Sequence, residues 1–342
     1  MPRNPVLRAR FSGKCLLAFL LLAAFASSGF AEVLKLGNEP WPPFVLEGEE
    51  RGTAEAIVCE ALGRSGYECA LSHGDWATTL AAAEAGALDA IAAAWFTPER
   101  GRLLHFSAPY LTNRLIPVTL AGGPKVERIG DLAGKRVALE VGVAYGETLL
   151  TAREGFETVD VRGGEAALAA LRDGRADVAV LDELFVLEAL RDDAGARFSS
   201  GEVALAFREL HFAVSRTRPD AQAIVADFNR AYQAMVRDGM VNRILGLEWL
   251  ATDLEADGVM DFIHRGGGLD AAVADVATRD RVYALGQDEF DAIRDPGFQG
   301  SNARFLANDT AYETPEAAMR ALESDRRCRY DSRTATIVCT GR

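Results

Sequence analysis

Residues 78–94 read TTLAAAEAGALDAIAAA, and residues 165–182 read EAALAALRDGRADVAVLD. Each begins as an Ala/Leu-rich helix and is stopped by a glycine, Gly86 in the first and Gly174 in the second. Each then runs through two residues to an aspartate and into an apolar stretch of strand length. A continuous apolar run after a helix predicts a strand buried on both faces, as in a parallel sheet with helices on each side. Two such units predict two α/β lobes of similar design. One large doubly wound domain carrying two ordinary helix–strand units is the plain alternative, and the pattern leaves it open.

Between the units lies an extended segment, Leu115 to Leu120, ending in the breaker cluster Ala121-Gly122-Gly123-Pro124. After the second unit, Val203 to Val214 is again extended, and a helix is predicted from Asp220 to Asp238 with Ile224, Phe228, Tyr232 and Met235 on one face. If the first segment carries the chain out of lobe 1, the second can carry it back. Two antiparallel crossovers would form a hinge of a few residues, a common device for closing two lobes on a ligand. The expected division is residues 32–118 and 206–250 for lobe 1, 119–205 for lobe 2, and 251–342 for a small C-terminal α+β extension. The extension has weak periodicity, with Gly266-Gly267-Gly268, a helix start at Thr314-Pro315 and a short hairpin between Cys328 and Cys339.

The chain opens with Arg3, Arg8, Arg10 and Lys14, an eleven-residue apolar run from Leu16 to Ala26, and small residues before Glu32. That is the pattern of a signal peptide cut after Ala31, and the apolar run is well short of the roughly 20 residues of a spanning helix. Removing residues 1–31 takes away four of 37 basic residues and no acidic one, so 33 basic residues face 50 acidic ones at a net charge of −17. Such a charge argues against nucleic acid and anionic lipid as partners. A periplasmic monomer without membrane insertion is expected. Cys15 leaves with the signal. In an oxidising compartment the remaining local pairs, Cys59 with Cys69 and Cys328 with Cys339, predict two disulfides. Metal binding is the alternative for these cysteines, but their spacings of ten and eleven are not those of a clustered metal site, so no metal and no cofactor is expected.

Five stretches in order carry a resemblance. They are Leu34-Lys35-Leu36-Gly37 with Trp41-Pro42-Pro43-Phe44; Thr97-Pro98-Glu99-Arg100 with Phe106-Ser107-Ala108-Pro109-Tyr110; Asp131 to Ala138; Leu181-Asp182-Glu183; and Asp238 to Ile244 with Trp249. Over residues 33–250 the chain resembles the family 3 solute-binding proteins, receptors for polar amino acids in ABC importers. The resemblance implies a periplasmic binding protein-like α/β fold, two lobes on a two-strand hinge, and an amino-acid-like ligand handed to a membrane permease. It implies that Arg100 grips a carboxylate, which a guanidinium can fork with two parallel hydrogen bonds. It further implies that Asp182 accepts from an ammonium group, that Trp41 stacks on the ligand, and that Cys59–Cys69 is structural. Glu39, Trp76, Trp95 and Ala144 complete the candidate ligand-contacting set. Asp182 could equally serve as a helix N-cap, and Phe44 reads better as core.

Two departures bear on the ligand. Where the family supplies hydroxyls before the arginine, this chain has Ala92-Ala93-Ala94-Trp95-Phe96, and its second-lobe loop reads Gly142-Val143-Ala144-Tyr145-Gly146. A bulkier or aromatic carboxylate therefore fits better than an ordinary polar amino acid. No Gly-x-Ser-x-Gly elbow, His-Glu-x-x-His pair or P-loop is present. One enzyme class remains on the same fold, the cyclohexadienyl dehydratases, with Glu183 or Asp182 as the acid; a sensory or accessory role through the extension is the third reading.

Overall fold

The computed structural model describes residues 31–48, 50–141, 145–190, 197–201, 203–265, 282–294, 303–314, 317–318, 320–321, 328–331 and 336–339. The expected signal peptide and Ala144 lie outside these residues.

In the first lobe, strands β1 (Glu32–Asn38), β2 (Tyr67–His73) and β3 (Ala90–Trp95) alternate with helices α1 (Thr53–Arg64) and α2 (Trp76–Glu84). In the second, β6 (Arg136–Glu140), β7 (Glu157–Val161) and β8 (Val178–Asp182) alternate with α3 (Glu147–Ala152) and α4 (Gly164–Arg172), and α5 (Glu183–Ala189) follows β8. Both halves are parallel, ordered β2-β1-β3 and β8-β6-β7. Between them run the long crossovers β5 (Leu111–Leu120) and β10 (Ala206–Ser215), so that the sheet reads β2-β1-β3-β10-β5-β8-β6-β7 and mirrors itself about its centre. Two short strands, β4 (Leu104–Phe106) and β9 (Phe198–Ser200), pair with β10 and β5.

The two quoted stretches fold alike down to single hydrogen bonds. Gly86 and Gly174 take positive φ, 75° and 66°, which glycine adopts without the Cβ penalty of other residues. Beyond them, Asp89 N donates to Lys35 O and Asp177 N donates to Arg136 O, both at 2.8 Å. Each aspartate also accepts from the residue it faces: Asp89 Oδ2 from Lys35 N at 2.8 Å, Asp177 Oδ2 from Arg136 N at 2.9 Å. The x-x-Asp signal thus ties the end of each helix turn to its lobe's first strand.

Crossovers β5 and β10 are antiparallel partners over 111–115 and 206–210. Helix α6 (Ala221–Arg237) has the expected length, and Ile224, Phe228, Tyr232 and Met235 are all buried. With α7 (Met240–Leu245) it packs on the first lobe's core beside α1. Cys59 on α1 and Cys69 on β2 are joined by a disulfide.

The extension has its own mixed sheet, β13-β11-β12-β14-β15, from Trp249–Thr252 (β11), Met260–His264 (β12), Val282–Ala284 (β13), Ala303–Ala307 (β14) and Thr310–Tyr312 (β15), with α8 at Gln287–Arg294. Strand β11 straddles residue 250. Leu250, Ile263, Tyr283 and Leu306 join the same buried cluster as Leu36, Phe44 and Phe228, so this sheet shares the first lobe's core. Thr314 caps its turn by accepting from Ala317 N through Oγ1 at 3.2 Å. In the last hairpin, β16 (Cys328–Asp331) and β17 (Thr336–Cys339), the register sets Cys328 opposite Cys339; their side chains are outside the described set.

Candidate functional site

The loop after β1 is held from below by one buried carboxylate. Glu55, fully buried on α1, accepts through Oε1 from Asn38 Nδ2 at 3.1 Å and lies 2.9 Å from His73 Nε2. Through Oε2 it accepts from Gly52 N at 3.1 Å and Leu46 N at 3.4 Å. Buried charge is retained where it is fully hydrogen-bonded, and here it pins both ends of the Trp41–Leu46 turn. Trp41 N and Val45 N then exchange hydrogen bonds with the opposite carbonyls at 3.0 Å. Phe44 is wholly buried, as core packing required, while Trp41 stays partly exposed.

Trp41 meets Trp95 edge to face, with ring centroids 5.3 Å apart and planes at 85°, a geometry favoured by the ring quadrupoles. Trp95 ends β3 at the carboxyl end of the parallel strands, where α/β folds hold ligands. Its indole Nε1 donates to Asn113 Oδ1 at 2.9 Å; Asn113 Nδ2 donates to Asp182 Oδ2 at 2.9 Å. Asp182 Oδ1 in turn accepts from Leu184 N at 2.8 Å and Phe185 N at 3.3 Å. A chain of hydrogen bonds therefore crosses from lobe 1 through the hinge strand β5 to lobe 2.

Asp182 is thus the N-cap of α5, its second expected role. An ammonium group would find only the remaining acceptor capacity of its oxygens. Burial pushes its carboxyl up to about 7, against the lowering effect of Asn113 and the Leu184 and Phe185 N–H groups. The pH consequence follows. Below pH about 4 the group is protonated in folded and unfolded chains alike; as pH rises towards 7 the unfolded chain ionises while the folded one holds its proton. Stability should fall across that window, and Asp182→Asn should flatten the fall in urea denaturations run from pH 4 to 8. Parallel profiles for the two proteins would contradict the assignment.

Arg100 opens a turn beyond β3 and is half-buried. Nη1 donates to Trp95 O at 2.8 Å, and the guanidinium lies 4.1 Å over the Trp76 ring. It forms no ion pair among the described residues, with Glu99 or with any other acid. Burial lowers its pKa first, nearby Arg208 lowers it further, and Glu39 raises it, which puts all three charges in one neighbourhood.

Of the expected site residues, the structure brings Trp41, Trp76, Trp95, Arg100 and Asp182 into one connected group, with Glu39 beside it. Asn113 and Arg208 were not anticipated. They face each other in the β5–β10 register, and Arg208 lies 5.0 Å over the Trp95 ring. A polar residue inside an otherwise apolar crossover, Thr112-Asn113-Arg114, was the available signal for Asn113. Glu183, the candidate acid, is ion-paired to Arg114, whose Nε donates to it at 2.6 Å. Among the described residues no cluster of three or more His, Cys, Asp or Glu could hold a metal, and no helix is long and apolar enough to cross a membrane.

Comparisons place these features in a family. The L-cystine-binding protein TcyJ of Escherichia coli (strain K12) is 25% identical over 254 residues, covering 70% of this chain and 92% of that protein. The ABC transporter arginine-binding protein 1 of the same strain is 24% identical, over 68% of this chain and 96% of its own length. Among solved structures, an ancestral arginine-binding protein bound to arginine superposes with a TM-score of 0.52 at 21% identity, over 63% of this chain and 97% of that one. The GluR0 ligand-binding core complexed with L-glutamate gives 0.54 at 17%, over 64% and 98%. Both share the fold. The model of bacterial extracellular solute-binding proteins, family 3, matches residues 34–250 and leaves the extension outside. Having matched over more than half its length, the chain belongs to the bacterial extracellular solute-binding proteins, family 3.

Proposed function

We propose that this protein captures a small carboxylate-bearing, amino-acid-like ligand between its two lobes in the periplasm and delivers it, as a monomer, to the permease of an ABC importer. Lobe 1 would comprise residues 32–118 and 206–250, lobe 2 residues 119–205, and residues 251–342 the extension. The observation that carries the reading is Arg100. Its guanidinium is held in place by Trp76 and Trp95 O, lacks a carboxylate partner among the described residues, and keeps donors for an incoming one. Trp41 and Trp95 supply an aromatic wall, and Asp182 ties that wall to the second lobe through Asn113. Relatives named for cystine and arginine binding support the ligand class. Glu183, neutralised by Arg114, is not placed to act as a proton donor, so the dehydratase reading is not favoured.

The test is a thermal-unfolding screen of residues 32–342, unfolded and refolded to strip carried-over ligand, against amino acids, aromatic acids and keto acids. A ligand at 100 times its Kd should add about 2.7 kcal/mol. If no small carboxylate raises the unfolding temperature, the proposal fails.

A further inference from the structure

Arg208 stands over the Trp95 ring on the hinge strand β10, and its side chain makes no hydrogen bond or ion pair among the described residues. Its Nε is buried without a partner. A buried donor left unpaired is costly, and this protein has 50 acidic residues from which a partner could have come. Instead its guanidinium lies near a second one, Arg100, whose proton affinity is lowered first by burial and then by Arg208, with Glu39 acting the other way. Of the other acids nearby, Asp182 caps α5, and the exposed Glu209, 3.8 Å from His211 Nε2, makes no ion pair with Arg208.

On the Arg208 side of Trp95 is a cavity of about 260 Å³. Its walls include Trp95, Phe96, Arg208, His211 and the exposed Glu209, and the extension adds Gln287 at the start of α8. We infer that this is a second anion subsite, and that the ligand is a small diacid with one carboxylate on Arg100 and the other on Arg208, the extension contributing Gln287 to its selection. The inference rests on the carboxylate reading of Arg100. It accounts for two arginines beside one tryptophan that form no ion pair among the described residues, and for the lost hydroxyls of residues 92–94, which would otherwise serve an amino acid's polar groups.

The experiment compares matched pairs that differ by one negative charge: glutarate with glutaramate, L-glutamate with L-glutamine, and phthalate with phthalamate. Binding is measured by titration calorimetry on the refolded wild-type chain and on Arg208→Met, which keeps the side chain's stem over Trp95. In the wild type at least one diacid should bind tenfold to a hundredfold tighter than its monoamide, the range for one charge-assisted hydrogen bond. In Arg208→Met that ratio should collapse to within about threefold, because the diacid loses far more affinity than its monoamide. Wild-type pairs that bind equally, or a ratio that survives Arg208→Met, would overturn the diacid subsite and leave the Arg100 reading intact. If neither member of any pair binds, the diacid inference falls, and the carboxylate reading of Arg100 is decided by the wider screen.

Discussion

Replacing Arg114 by alanine is expected to cost about 3–5 kcal/mol of folding stability, the range for breaking a buried ion pair from one side. The side chain is 1% exposed and its partner Glu183 13% exposed. Besides the Glu183 ion pair, Nη1 donates to Ala284 O at 2.6 Å, and the guanidinium sits 4.1 Å over the Tyr283 ring. The loss is large because Glu183 would keep its charge in a partly dry setting, with Ala284 O deprived of its donor. Around the same point Tyr283 Oη donates to Thr112 O at 2.8 Å, and Thr112 Oγ1 donates to Leu285 O. One arginine therefore joins the crossover β5, the start of α5 in lobe 2, and β13 of the extension. Urea denaturation of Arg114→Ala gives the cost, and Arg114→Met with Glu183→Leu should recover much of it, since an apolar pair carries no desolvation penalty. A single variant within 1 kcal/mol of wild type would show that the three elements are held by other contacts.

That junction marks the limit of what could be read from the chain. The lobes were legible because their signals are local: a capping glycine, an aspartate three residues later and an apolar run lie within one short stretch. Arg100 was legible through its neighbours Thr97 to Glu99 and through its place just after a strand. Asp182 was legible as a cap because a cap needs only the next three residues. Asn113, Arg114 and Arg208 were not, since what gives them meaning lies far off in sequence. Asn113 bonds Asp182 across 69 residues, and Arg114 bonds Ala284 across 170. Nor does periodicity show that Leu250, Ile263, Tyr283 and Leu306 belong to the first lobe's core, because each looks like the ordinary interior of a separate unit. The extension, which the family model leaves unmatched, is in physical terms continuous with both the core and the hinge.

Arg100→Ala should abolish ligand capture while leaving the fold nearly untouched, and the two halves of that statement have separate grounds. Among the described residues the Arg100 side chain gives one hydrogen bond, to Trp95 O, and stacks on Trp76; it forms no buried ion pair as Arg114 does. Its removal should cost the unliganded protein no more than about 1 kcal/mol, the worth of one ordinary hydrogen bond. Towards a carboxylate the same group can give two parallel charge-assisted bonds, each worth about 1.5–3 kcal/mol. Losing both amounts to a hundredfold or greater rise in Kd. Arg100→Lys separates charge from geometry: a lysine keeps the positive charge but cannot form the fork, so its affinity should fall between wild type and Arg100→Ala. Equilibrium titration with whichever carboxylate stabilises the wild type checks all three. If Arg100→Ala keeps its affinity within threefold, the ligand's carboxylate is held elsewhere, and Arg208 becomes the first place to look.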